Sequence, residues 1–152
     1  LGVDALIIVD LPPEEDDEFY FEAVKNNLSM IRLVTPTTDE KRLQKILLNA
    51  TGFVYYVSIT GITGTMSPDI TNVEENIKKI KKVTSLPIVI GFGIRSPAQA
   101  NLMSKVCDGI VIGSAVVDLI KKTLDDDGKS SRKDLISCLD FTKEISEVIK
   151  HD

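Results

Sequence analysis

Apolar residues along this chain fall into two alternating patterns: short β-branched runs, and longer segments in which apolar positions recur every three or four residues. The short runs lie at residues 5–10, 30–34, 53–58, 87–91 and 109–112, and each predicts a strand. The longer segments predict amphipathic helices near 15–27, 39–49, 71–84, 97–105 and 115–124, with a last helix near 131–150. Strand alternating with helix is the signature of βα units around a parallel sheet, and near-continuous apolar strands predict cover on both faces. Successive strands lie roughly 20 to 34 residues apart, the length of one crossover unit. Helix starts are marked by Asp39 before Glu40, by Thr71 three residues before Glu74 as a capping box, and by Ser96-Pro97 as cap and first-turn proline.

Three glycine clusters follow apolar runs: Ser58-Ile59-Thr60-Gly61-Ile62-Thr63-Gly64, Gly91-Phe92-Gly93-Ile94-Arg95-Ser96 and Gly113-Ser114-Ala115. A backbone N–H approaches a phosphate closely where no Cβ intervenes, and a helix N-terminus adds unpaired donors and a favourable dipole. The clusters therefore predict a phosphate grip. Taken singly, Gly91 and Gly93 read as turn glycines at strand ends, and the phosphate reading wins through the ordered partners. Five βα units fall short of a (β/α)8 barrel of about 250 residues, but they supply five of its eight units. An open doubly wound sheet is the alternative, although its G-x-G-x-x-G fingerprint after the first strand is absent. In a barrel the phosphate is often held by the loops after the last two strands. Here those loops carry Gly93 and Gly113-Ser114.

Composition narrows the partner. The 152 residues are 43% hydrophobic, enough for one core, so residues 1–152 are expected to belong to a single domain. A net charge of −5, with no basic stripe and no Trp, argues against nucleic acid or an anionic membrane and for a small polar ligand. Cys107 and Cys138 form no CxxC, and the lone histidine is His151, which argues against metal or histidine-based nucleophilic catalysis. No apolar run reaches the roughly 20 residues of a membrane span and no charged leader precedes one, so the expected location is the cytoplasm. The chain opens on Leu1 without a methionine and runs directly into a strand, as expected of a chain that starts in mid-fold.

Four ordered segments carry a specific resemblance: Asp10-Leu11-Pro12-Pro13-Glu14-Glu15, Tyr55 through Gly64, Pro87 through Ile94, and Gly109 through Ala115. In order and spacing they resemble the second half of the tryptophan synthase α subunit family, a (β/α)8 barrel, with these strands as its fourth to eighth. The resemblance implies an indole-3-glycerol-phosphate lyase that releases indole and glyceraldehyde 3-phosphate. It implies no cofactor in this chain, and a pyridoxal-phosphate β subunit as partner in an α2β2 complex. By the same carry-over, Gly64, Gly93, Gly113 and Ser114 hold the phosphate, while Tyr55, Phe92, Ile7 and Leu33 line the indole pocket. Thr63 matches a threonine of the mobile loop after the sixth barrel strand. The family's catalytic glutamate and aspartate follow the second barrel strand and match nothing in this chain, so no catalytic residue is assigned. Ile59 departs from members that carry a basic residue there.

Other features have plainer readings. The acidic run Glu14–Glu18 reads as first-turn charge facing a helix dipole. Asp10, at a strand end, reads either as functional or as a cap for the loop before Pro12. Tyr55 and Phe92, without the resemblance, read equally as packing aromatics. Lys78, Lys79, Lys81 and Lys82 read as a solvated helix face. Residues 125–131 lack the first glycine of a P-loop, with Thr123 in its place, and read as a flexible connection to the last helix. Two further functions stay open: another phosphate-binding barrel enzyme, for which Asp10 is the candidate acid, and a non-catalytic module that binds a phosphorylated ligand. An autonomous half-barrel of this kind would expose sheet edges and an apolar interior.

Overall fold

The structure, a computed structural model, describes residues 2–58, 70–91 and 93–149. Five strands, β1 (Ala5–Ile7), β2 (Ser29–Val34), β3 (Val54–Val57), β4 (Ile88–Gly91) and β5 (Gly109–Val111), alternate with helices α1 (Asp17–Lys25), α2 (Glu40–Leu48), α3 (Ile70–Lys81), α4 (Pro97–Ser104) and α5 (Ser114–Thr123). A final helix, α6 (Arg132–Val148), follows. All neighbouring strands are parallel, and they lie side by side in the order of the sequence. That order decides between the two architectures. A doubly wound sheet reverses direction at a switch point, whereas here each strand pairs with the next without reversal, as around a (β/α)8 barrel. The sheet is a five-stranded arc of such a barrel.

Register explains which side chains face which way. Arg32, Val54 and Ile88 form one row across the sheet, and Val34, Tyr56, Ile90 and Ile110 the next row on the same face. Val54, Ile88 and Ile90 are fully buried, because this face packs against Leu43 and Leu47 of α2, Val73, Ile77 and Ile80 of α3, and Ala100 and Met103 of α4. The alternate positions Leu33, Tyr55 and Val89 face the interior of the arc and are half-buried. Cover is therefore complete on the helix side alone.

Two helix starts match the sequence. Asp39 accepts a hydrogen bond from the Arg42 N–H, and Ser96 accepts one from Gln99 with Pro97 in the first turn. Thr71 does not cap α3: the helix already includes Ile70, which places Thr71 inside its first turn. The capping box belongs to α6, where Ser131 and Asp134 bond reciprocally. The first unit also differs, with β1 ending at Ile7 and α1 starting at Asp17. Pro12 and Pro13 explain the delay. Pro12 is extended at φ −70° and ψ 150°, and a proline disfavours helix in the residue before it, so only a short 3-10 turn, Pro13–Glu15, forms ahead of α1.

Candidate functional site at the C-terminal strand ends

Because every strand runs the same way, the C-terminal ends of β1 to β5 gather at one end of the arc. A cavity of about 190 Å3 opens there, lined by Tyr55, Gly93, Ile94, Val111, Gly113 and Ser114. Three of the four predicted phosphate positions and one predicted indole-pocket aromatic thus share one space. Gly93 has φ 79°, left-handed backbone that suits glycine and turns the chain after β4. Gly113 is the N-cap of α5. Its carbonyl accepts from the N–H groups of both Val116 and Val117, at 3.0 and 3.1 Å, which leaves the Ser114 and Ala115 N–H groups without an intrahelical acceptor. Those two donors, the Ser114 hydroxyl and the positive end of the α5 dipole are the features that suit a helix N-terminus to an anion.

Gly91 has a different task. It lies buried inside β4, and a Cβ there would run into the ring and hydroxyl of Tyr55. Tyr55 pairs with Val89 and Val57 with Gly91, so Tyr55 and Gly91 are diagonal neighbours on the interior face. The missing side chain lets the Tyr55 ring lean towards the cavity.

The remaining predicted site residues are dispersed. Leu33 lines a second cavity of about 350 Å3, together with Asp10, Pro13, Arg32 and Arg42. Ile7 faces the interior side of β1, in register with Ile31, and is 46% exposed without lining either cavity. Gly64, Thr63, Phe92 and Ile59 lie outside the described residues. Cys107, the thiol nearest a strand, sits before β5, at the end of the sheet away from both cavities. It donates to the Met103 and Gly109 carbonyls, and burial pushes its thiol up.

The acidic run breaks into distinct roles, and first-turn charge describes only part of it. Asp17 and Glu18 do occupy the first turn of α1. Asp16, with no exposed surface, forms an ion pair with Arg32, which is 4% exposed on the helix-facing side of β2. Glu14 pairs with Arg42 of α2, and that guanidinium holds the Glu14 carboxyl below its usual value. The pattern signal for the buried pair was Arg32 itself, a cation within the otherwise apolar run Met30–Val34, which needs an acid beside it.

Burial raises both strand tyrosines above the usual phenol value of 10, Tyr56 to about 12, with Asn76 opposing the shift in smaller measure. A raised phenol pKa favours the neutral, folded form. The stability linked to Tyr56 is therefore whole below pH 10 and is lost as the pH climbs from 10 towards 12. In an alkaline titration the last step of phenolate absorbance should coincide with unfolding, and Tyr56→Phe should remove it. A Tyr56 phenolate formed at or below pH 10 in the folded chain would contradict the burial argument.

A family model described as tryptophan synthase alpha chain matches residues 1–146. Among solved structures, tryptophan synthase subunit alpha from Campylobacter jejuni is 33% identical with a TM-score of 0.79, over 95% of this chain and 54% of that one. The subunit alpha from Legionella pneumophila is 28% identical with a TM-score of 0.80, over 97% of this chain and 52% of that one. A Mycobacterium tuberculosis tryptophan synthase chain is 29% identical with a TM-score of 0.81, over 99% of this chain and 53% of that one. This chain thus spans about half the length of the structures it matches.

Proposed function

The chain belongs to the tryptophan synthase alpha chain family, and from that premise we propose that it forms the phosphate-holding half of an indole-3-glycerol-phosphate lyase in tryptophan biosynthesis. The observation that carries this reading is the single cavity shared by Tyr55, Gly93, Gly113 and Ser114. The N–H groups at the start of α5 and the Ser114 hydroxyl bind the substrate phosphate, and Tyr55 lies alongside as a wall for the indole ring. Gly64 and Phe92 complete the grip and the wall, and Thr63 acts in loop closure.

Cleavage needs a proton delivered to indole C3 and a base for the glycerol hydroxyl, whose collapse to an aldehyde breaks the carbon–carbon bond and leaves indole and glyceraldehyde 3-phosphate. Carboxylates in a dry pocket perform both tasks. We assign them to the half of the barrel that this chain does not span. The residues described here bind and orient. Indole then passes to a β subunit that carries pyridoxal phosphate, which supplies the chemistry joining indole to the amino-acid carbon chain.

The test is indole release from indole-3-glycerol phosphate, by this chain alone and by the chain supplied with the N-terminal half of the barrel. Release is expected only from the complemented form. Release by the chain alone would mean that its own acids are catalytic. Failure of the complemented form, with phosphate-ester binding retained, would favour a binding module.

A further inference from the structure

We propose that the buried Arg32–Asp16 ion pair is a positioning device, which fixes the loop from Leu11 to Asp16, and through it Asp10, over the cavity beside β2. The inference rests on reading this end of the sheet as the lyase's substrate end.

Among the described residues the loop has little else to hold it. Pairing of β1 with β2 ends at Ile7 and Ile31, so residues 8–16 leave the sheet before α1 begins. Within the loop the Glu15 N–H closes on the Pro12 carbonyl at 3.0 Å, which shapes the 3-10 turn without anchoring it to its surroundings. Two ion pairs reach across to the next βα unit, Asp16 to Arg32 on β2 and Glu14 to Arg42 on α2. The Glu14–Arg42 pair is solvent-exposed, with both side chains more than a third accessible, and such pairs hold geometry weakly. The Arg32–Asp16 pair has side-chain exposures of 5% and 0% and joins the N-cap residue of α1 to the second strand.

Burial gives this pair its character. Removing two charges from water offsets most of their attraction, so a pair of apolar side chains of similar volume is often as stable. Among the described residues, Asp16 Oδ1 and Arg32 Nε also find no hydrogen-bond partner, which makes the pair a poor source of net stability. What it does supply is a fixed place: a guanidinium anchored in a strand donates to the Asp16 carboxylate at one position only. The cavity of about 350 Å3 lies between the loop residues Asp10 and Pro12 on one side and Arg32 and Leu33 on the other. The placement of the loop therefore sets the cavity's width and the position of Asp10 at its rim.

The experiment uses the complete polypeptide that carries this sequence, in complex with its β partner. Arg32→Met alone leaves a buried, unpaired carboxylate and should lower the thermal midpoint. Adding Asp16→Leu should restore the midpoint, because the charge is removed as well. In that double variant, hydrogen exchange of the amides of residues 10–16 should still be faster by about tenfold or more, and kcat/KM for indole release should fall by about tenfold, mainly through KM. Arg32→Lys keeps the charge without the planar fork and should give smaller changes of the same sign. If either variant is folded yet keeps the parent's loop exchange and kcat/KM, the pair is a stability element and the proposal is overturned. If the parent releases no indole, the lyase reading fails, and the exchange measurement still decides whether the pair holds the loop.

Discussion

Gly113→Val is expected to weaken binding of glycerol 3-phosphate to the complete polypeptide by about 100-fold or more while leaving the fold intact. The backbone conditions are favourable for a clean result. Gly113 has φ −110°, which any residue adopts, and among the described residues an added Cβ meets nothing within 4 Å. The branched side chain would instead stand in the open mouth of the cavity, where a phosphate must approach the Ser114 and Ala115 N–H groups. Each hydrogen bond to a charged group contributes about 1.5–3 kcal/mol, and about 1.4 kcal/mol is tenfold in affinity, so losing two such bonds exceeds 100-fold. Gly93→Val is a poorer test. With φ at 79° a side chain strains the backbone by roughly 1–2 kcal/mol, which mixes folding with binding. Calorimetric titration beside circular dichroism separates the two effects. Unchanged affinity in a folded Gly113→Val protein would reduce this glycine to a helix cap.

The alternation of strands and helices was legible because each strand is a contiguous apolar run and each helix carries an apolar face at its own period. Caps were legible where the side chain and its target lie within one turn, as at Asp39 and Ser96. The Thr71 cap failed because capping pairs at this spacing also occur inside helices, and α3 already includes Ile70. Strand order was not legible from periodicity, since both a barrel and a doubly wound sheet are built from the same units. The resemblance carried that choice, and the unreversed order β1 to β5 agrees with it.

The candidate site was legible in its glycines and less so in its side chains. Gly93, Gly113 and Ser114 are separated along the chain by helix α4 and strand β5, yet parallel strands bring the residues that follow β4 and β5 to the same end. The buried partner of Arg32 was hidden because Asp16 stands among four other acids, and local sequence does not say which of five faces inward. Only the register of β2, which turns Arg32 towards the helices, selects the acid at the start of α1. In the sequence Gly91 belongs to a glycine cluster of the phosphate grip and, taken singly, reads as punctuation at a strand end. Its actual constraint comes from Tyr55 across the ladder, a contact that exists only once β3 and β4 pair in register.

That contact makes Gly91→Ala the most informative single substitution in the sheet. One methyl group at this position would occupy the space of the Tyr55 ring, including its ring carbons, so Tyr55→Phe brings no relief. Forcing a methyl into a packed site costs typically about 1–3 kcal/mol, and more where a rigid ring cannot find another rotamer. Gly91 is buried between neighbours on both sides of β4, in register with Val57 and Val111, which leaves the backbone little freedom to retreat. The ring must therefore swing away from β4 and give up its place in the wall of the cavity of about 190 Å3 that it now borders. Urea unfolding of Gly91→Ala, Tyr55→Ala and the double variant should show the double less destabilised than the sum of the singles by about 1 kcal/mol or more, the coupling expected of residues in direct contact. Phosphate-ester affinity should fall in each single variant and little further in the double variant, because both changes take the same ring out of the wall. Additive stabilities would mean that Tyr55 and Gly91 act independently, and the wall beside the phosphate grip would then owe nothing to this glycine.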